Sequence, residues 1–218
     1  MNIRVLLADD HKLLRQGLKT LLEKERDVVV VGEAANGRIA RDLVGRLHPD
    51  VVLMDIAMPD LNGIEAARQI CRQNPHTKLI ALSMHADKRF VAGMLKAGAS
   101  GYLLKDSGLT ELTSAIRAVF AGGTYLSPAV AGGIVNSFVR NPASPNSANE
   151  LGSLSSRERE VLQMVAEGLN TKEIAARLGV SVKTIETHRK RVSQKLGLHT
   201  TAALTKYAIR EGMTSLEA

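Results

Sequence analysis

Three aspartates carry the first chemical signal. Asp9 and Asp10 close an apolar run, Val5-Leu6-Leu7-Ala8, and Asp55 closes another, Val51-Val52-Leu53-Met54. Runs this short and rich in Val and Leu, each followed by a helical pattern, read as buried parallel strands. Strands of one parallel sheet end on the same edge, and in an open α/β sheet ligands bind at that edge, where the strand order reverses. Carboxylates gathered there repel one another unless a counter-charge neutralises them, and an oxygen-rich cluster suits a hard divalent cation such as Mg2+. A metal held over a nucleophilic acid serves phosphoryl transfer, in which a carboxylate can form an aspartyl phosphate. Asp55 is the candidate acceptor, and Asp9 and Asp10 are candidate metal holders. Ser83 closes the next strand and offers a hydroxyl to a phosphoryl oxygen, while Lys105, just past the fifth strand, offers a cation suited to phosphate. Singly, each has a plainer use, since an Asp at a strand end is usually a cap and a lone Lys is usually solvated. The whole set on one sheet edge is what points to function.

The elements that must position these residues alternate. Strands are expected at Ile3–Ala8, Val28–Glu33, Val51–Asp55, Leu79–Ser83 and Gly101–Leu104, with helical stripes between them such as Leu14, Leu18 and Leu22, or Ile39, Leu43 and Leu47. The fold class is α/β, a doubly wound five-stranded parallel sheet over residues 1–122. Residues 123–150 are expected to be a linker: Arg140 to Ser153 carries Pro142, Pro145 and many small polar residues, with almost nothing to bury. The stretch Leu126–Val139 reads either as a short helix or as a docking segment.

Residues 151–218 read as a small all-α domain. Ser155 or Ser156, Thr171, Ser181, and Thr200 or Thr201 are candidate caps, and Gly168, Gly179 and Gly197 are candidate stops. Two helices separated by Gly179-Val180-Ser181, the second of them basic, form a helix-turn-helix pattern. The domain holds 11 Lys and Arg against 7 Asp and Glu, within a chain of net charge +7. Lys183, Arg189, Lys190, Arg191 and Lys195 crowd one helix against Glu186, a stretch able to meet a polyanion.

Composition narrows the class further. A length of 218 residues suits two domains of about 100–150 residues or less. The single cysteine, Cys71, excludes an internal disulfide and fits a reducing compartment, and its ordinary use is as a small apolar residue on a helix. No apolar run reaches the ~18 residues of a membrane span, and Asp9-Asp10 interrupts the only candidate leader, so a cytoplasmic location is expected.

Asp9-Asp10, Asp55 followed by Met58-Pro59, Ser83, and Tyr102-Leu103-Leu104-Lys105 together resemble the receiver domain of two-component response regulators, a flavodoxin-like fold. The stretch LSSREREVLQMVAEGLNTKEIAARLGVSVKTIETHRKRVSQKLG resembles the LuxR-type helix-turn-helix. The combination is similar to NarL/FixJ-type response regulators over nearly the whole chain. The resemblance implies that a sensor histidine kinase donates a phosphoryl group to Asp55. It implies that Asp10, Asp55 and the main-chain carbonyl of Ala57 hold Mg2+, with Asp9 acting mainly through water. It makes Pro59 a loop-shaping residue, Ser83 and Tyr102 a switch pair, and His85 a modulator of phosphate lifetime.

For the basic helix it implies major-groove binding to double-stranded DNA, with Glu186, Thr187 and Lys190 at base-reading positions. Lys183, Thr184, His188 and Arg191 become phosphate contacts, which position without specifying. Glu186 has a second use, an intrahelical pair with Lys183 or Lys190, and His188 could pack on the preceding helix. The last helix, with Ala202, Ala203, Leu204, Tyr207 and Ala208, is expected to supply core and, by resemblance, a homodimer contact matching an inverted-repeat site.

Two other functions compete with a phosphorylation-controlled transcription factor. A Mg2+-dependent phosphatase working through an aspartyl intermediate needs a positioned general acid, and none stands out. A DNA-binding protein with a purely docking receiver has no use for the complete Asp9, Asp10, Asp55, Ser83, Lys105 set. A nucleotide-binding fold is disfavoured because the first strand runs into Asp9-Asp10 rather than a Gly-rich loop.

Overall fold

The computed structural model describes residues 2–84, 86–132 and 154–214, in two compact units, Met1–Pro142 and Ala143–Ala218. In the first unit β1 (Ile3–Ala8), β2 (Val28–Ala34), β3 (Val51–Asp55), β4 (Lys78–Ser83) and β5 (Gly101–Leu104) alternate with α1 (Lys12–Leu22), α2 (Gly37–Leu47), α3 (Gly63–Gln73), α4 (Lys88–Lys96) and α5 (Leu109–Phe120). All strand pairs are parallel, in the order β2-β1-β3-β4-β5-β6, where β6 is Tyr125–Leu126. The chain reverses direction across the sheet at β1 and β3, so the crevice beyond their carboxyl ends is the place for a ligand.

Alternation along each strand divides the core into two layers. Leu6, Ala8, Val52, Met54 and Ala81 face one side, where Val44, Ile70 and Met94 of α2, α3 and α4 cover them. Val5, Leu7, Leu53, Ile80 and Leu82 face the other, under Leu22 of α1 and Ile116 and Val119 of α5. Full burial of each such aliphatic side chain is worth ~1.5–3 kcal/mol, which ties both helix layers to one sheet. A one-residue slip of any strand would exchange its two faces, so register is strongly specified. Pairing of Ala8 with Met54 sets Asp9 beside Asp55, and pairing of Ser83 with Leu104 sets Lys105 one step beyond.

All five expected strands are present, and β6 makes the sheet six-stranded. Its two residues pair with Gly101 and Tyr102, and the Ser127 N–H donates to the Tyr102 carbonyl at 3.0 Å. Residues 128–132 are helical and Val130 is buried in the same core layer as Tyr102. The opening of the segment expected as linker therefore belongs to the sheet. A two-residue strand has no periodicity to read, and its pairing was invisible without its partner. Of the expected linker, residues 133–150 lie outside the described residues, as do the second half of the Leu126–Val139 stretch and His85.

The second unit contains α6 (Ser156–Ala166), α7 (Thr171–Leu178), α8 (Val182–Leu196) and α9 (Thr201–Arg210). Ser155 caps α6 and exchanges hydrogen bonds with Glu158 in a capping box. Asn170, rather than the expected Thr171, caps α7, accepting from the N–H groups of Lys172 and Glu173. Its amide oxygen reaches both orphan donors of the first turn, leaving Thr171 as the first helical residue. Ser181 and Thr200 cap α8 and α9. Gly179 and Gly197 end α7 and α8 at φ of 62° and 65°, a conformation a side chain would strain. Val161, Ile174, Ile185, Val192, Leu204 and Tyr207 form the core, and Lys195 Nζ meets Glu158 Oε2 at 2.7 Å to tie the end of α8 to the start of α6.

Gly63 gives the fold its tightest constraint near Asp55. A Cβ on Gly63 would stand 2.0 Å from the Asp55 carbonyl oxygen, so only glycine lets α3 begin against the end of β3. Gly45, inside α2, has nothing within 4 Å of the same position. Gly63→Ala is expected to lower stability by about 1–3 kcal/mol, whereas Gly45→Ala raises it by roughly 0.5–1 kcal/mol through helix propensity. Urea unfolding of both variants checks the contrast.

Candidate functional site

The acidic site is built from the ends of three strands. Asp55 and Asp9 are 3% and 1% exposed, and Lys105 Nζ lies 2.8 Å from Oδ2 of each. Asp10 is half-buried beside them. Asp9 Oδ1 accepts from the His11 main-chain N–H at 2.8 Å, and the His11 ring Nδ1 lies 3.2 Å from that oxygen and 3.0 Å from Asp10 Oδ1. Arg15 of α1 donates to the Asp9 carbonyl at 2.6 Å while its Nε meets Glu33 Oε2 at 3.2 Å, which holds the β1–α1 turn against the end of β2.

Charge is unbalanced in this pocket. Burial pushes the Asp55 carboxyl up to about 6, against the opposing pull of Lys105, and Asp9 and Asp10 push it the same way. Buried Lys105, held between two carboxylates, is raised from its ordinary value although burial alone would lower it. Asp9 Oδ2, Asp10 Oδ1 and Asp55 Oδ2 are covered from water, the first and last sharing the single ammonium of Lys105 and the Asp10 oxygen facing the His11 ring at 3.0 Å. Ligand atoms of Asp9, Asp10, His11 and Asp55 all lie within 4.8 Å of one another. Covered carboxylate oxygens at this spacing, with one ammonium among them, fit a divalent cation.

The remaining expected residues surround this cluster. Ser83, 4% exposed, closes β4, and the Tyr102 hydroxyl is hydrogen-bonded to it, with burial raising that phenol to about 12. Tyr102 is completely buried, so its ring already stands inside the sheet layer rather than half-exposed. Ala57 is exposed in the bend two residues past Asp55. Pro59 accepts from the Leu61 N–H at 2.8 Å in the following turn, where Asp60 takes a φ of 66°. His11, Arg15 and Gly63 were missed from sequence. Adjacency to Asp9-Asp10 was the available signal for His11, whereas the Arg15 and Gly63 contacts cross from one element to another.

On α8, Ile185 and Val192 face the core while Lys183, Glu186, Thr187, Lys190 and Arg191 are exposed on the same helix. Among the described residues none forms an ion pair with Glu186, Lys183, Lys190 or Arg191, so the intrahelical use of Glu186 is not taken up. Thr184 is half-buried with its hydroxyl 2.8 Å from Ser181 Oγ, and the Thr187 hydroxyl donates to the Lys183 carbonyl at 2.9 Å. His188 is half-buried with Nδ1 covered and unpaired. Arg189 donates to Thr171 Oγ1 at 3.0 Å and Lys195 pairs with Glu158, so two of the five basic residues of this stretch are engaged inside the domain. On α9, Leu204, Tyr207 and Ala208 are buried, while Ala202 is exposed.

The Asp55 environment has a measurable pH consequence. Because its folded pKa of about 6 exceeds the usual 3.8, the folded chain holds this proton more tightly than the unfolded one. The resulting stability is complete below the unfolded value and lost as pH rises through 6. Asp55→Asn, measured without divalent cation, should therefore unfold at a higher temperature than the parent at pH 8, by an amount on the order of 3 kcal/mol. The two chains should converge near pH 4, and thermal melts at both pH values check this.

Comparison with known proteins accounts for both units. Residues 5–117 match the response regulator receiver domain, and residues 152–208 match the bacterial regulatory proteins of the luxR family. The transcriptional regulatory protein MctR of Rhizobium johnstonii is 39% identical over 213 residues, 98% of this chain and 96% of that protein. The oxygen regulatory protein NreC of Staphylococcus carnosus is 39% identical over 212 residues, 96% of this chain and 98% of that one. A LuxR-family response regulator from Aurantimonas sp. superposes with a TM-score of 0.61 at 37% identity, covering 64% of this chain and 99% of that one. A complex of the response regulator RcsB with DNA aligns with a TM-score of 0.59 at 29% identity, covering 95% of this chain and 98% of that one. With a receiver sheet carrying a covered acidic cluster and a helix-turn-helix unit after it, this chain belongs to the two-component response regulators with a LuxR-type DNA-binding domain, transcriptional regulators rather than catalytic enzymes.

Proposed function

We propose that this protein accepts a phosphoryl group on Asp55 from a sensor histidine kinase and then binds DNA as a dimer to regulate transcription. The observation that carries this reading is Lys105 suspended between buried Asp9 and Asp55, 2.8 Å from each. A carboxylate at about 6 is mostly ionised at neutral pH and can attack phosphorus. An Asp55 oxygen forms the new bond as the nitrogen–phosphorus bond of the donor histidine breaks. Lys105 then exchanges the Asp55 carboxylate for a phosphoryl oxygen, a charge-assisted contact at the same sheet edge. Asp10, Asp55 and the Ala57 carbonyl would hold Mg2+, with Asp9 acting mainly through water. The bound ion would supply charge neutralisation on the transferring group.

Ser83 offers its hydroxyl to the phosphoryl group, which competes with its bond to Tyr102. Because the Tyr102 carbonyl accepts from Ser127, a change at this pair is felt where the chain leaves the sheet. The division into a receiver at 1–122, a linker at 123–150 and a DNA-binding domain at 151–218 belongs to this reading, with β6 added to the receiver sheet. A tether of that composition lets phosphate bias an equilibrium between restrained and released DNA-binding units.

For α8, exposed Glu186, Thr187 and Lys190 read bases in the major groove, and exposed Lys183 and Arg191 contact phosphates. Thr184 and His188 are half-buried, so their phosphate contacts are made from the rim of the helix. RcsB has been described as dimers bound to DNA, and by likeness we infer a homodimer on an inverted-repeat site, with the exposed part of α9 near Ala202 at the two-fold. DNA of this kind lies in the cytoplasm, where we place the protein, and no described helix is long and apolar enough to cross a membrane.

A small phosphodonor with Mg2+ should add one phosphoryl group to the parent chain and none to Asp55→Asn, as read by intact mass. An Asn variant that labels as well as the parent overturns the assignment of Asp55. On DNA, Lys190→Ala and Glu186→Ala should each cost ~1–3 kcal/mol at the target site and relax preference at one base position. Lys183→Ala should weaken all sequences alike and reduce the salt slope by about one. Binding titrations on target and random duplexes separate the two outcomes.

A further inference from the structure

We propose that α8 selects thymine in its DNA site through methyl groups, those of Val182 and Thr187, rather than through the Thr187 hydroxyl. This rests on the reading of α8 as the helix that enters the major groove, and names the base its first two turns prefer. The side-chain hydroxyls of those turns are spent within the helix. Ser181 Oγ accepts from the Thr184 main-chain N–H at 3.1 Å and lies 2.8 Å from Thr184 Oγ1. Thr187 is exposed, yet its hydroxyl donates to the Lys183 carbonyl at 2.9 Å. With its proton committed and Oγ1 turned back onto the preceding turn, Thr187 is left with Cγ2 as the group to present outward.

Val182 supplies a second, separate observation. Among the described residues it is the one large aliphatic side chain of the second unit left exposed, at 39%. A lone exposed apolar residue is ordinary on a protein surface. Its position is what gives Val182 a use: it opens α8, and Val182, Glu186 and Lys190 follow one another at four-residue spacing along one ridge. The N-terminal residues of a recognition helix are the ones that reach base edges, so the ridge that carries a carboxylate and an ammonium to DNA brings this isopropyl group with them. In the major groove thymine projects a C5 methyl group, which apolar side chains contact. A cytosine in its place would present its N4 amine to methyl groups that cannot accept from it.

The experiment uses the full chain, treated with a small phosphodonor and Mg2+, to enrich a random duplex library. Each thymine of the enriched duplex is then replaced singly by uracil, which lacks only the 5-methyl group. The parent should bind about fourfold more weakly, the worth of one buried methyl group, with uracil at either of two positions in a half-site. Thr187→Ser, which keeps the hydroxyl, should be indifferent to uracil at one of these positions, while Thr187→Val, which keeps the methyl, should retain the penalty there. Val182→Ala should be indifferent at the other. Both penalties surviving in Thr187→Ser, or one lost in Thr187→Val, overturns the methyl contact of Thr187, and both surviving in Val182→Ala overturns that of Val182. A parent indifferent to uracil at every position overturns the whole proposal while leaving α8 as a DNA-reading helix. If no sequence is enriched over the starting library, that reading itself falls and the proposal falls with it.

Discussion

The buried ion triad of Asp9, Asp55 and Lys105 is the interaction on which the rest of the first unit depends. Desolvating two carboxylates and an ammonium is expensive, and their mutual attraction offsets that cost only when geometry is held closely. Every feature around the triad serves that geometry. The parallel register of β1, β3, β4 and β5 delivers the three side chains to one edge, and the two aliphatic layers on either side prevent any strand from slipping. Neutralisation is nonetheless incomplete, because one ammonium faces two buried carboxylates with Asp10 beside them.

Around this triad sits a second, weaker set of contacts that connects the site to its surroundings. Arg15 grips the Asp9 carbonyl from α1, Gly63 lets α3 begin against the Asp55 carbonyl, and Tyr102 hands its hydroxyl to Ser83 and its carbonyl to Ser127. Tyr102 is thus hydrogen-bonded both to Ser83 at the end of β4 and to Ser127 just past β6.

The DNA-binding unit reaches a division of labour by similar means. Its basic helix carries more positive charge than its exposed face presents, because Arg189 and Lys195 hold α8 to α7 and α6. Rigid placement of the helix and the availability of Lys183, Glu186, Lys190 and Arg191 are therefore met by different residues. Charge that looked uniform along the sequence is partly structural and partly presented to solvent.

Much of this was legible in the chain itself. Short Val- and Leu-rich runs ending in Asp located the sheet and the edge where the carboxylates gather, because a buried parallel strand must be apolar throughout and a carboxylate at its end is conspicuous. Capping residues and stop glycines marked the helices of the second unit to within a residue or two, since orphan N–H groups and left-handed termini demand particular side chains. Tertiary structure alone decided the rest. The two-residue strand Tyr125–Leu126 exists only because β5 offers it a partner. Asn170 displaced Thr171 as cap because its amide reaches two donors at once. The places of His11, Arg15 and Lys195 depend on contacts between elements distant in sequence or turned by a loop. Local pattern specifies which residues form an element, but the partners of a charged side chain are set only when the elements pack.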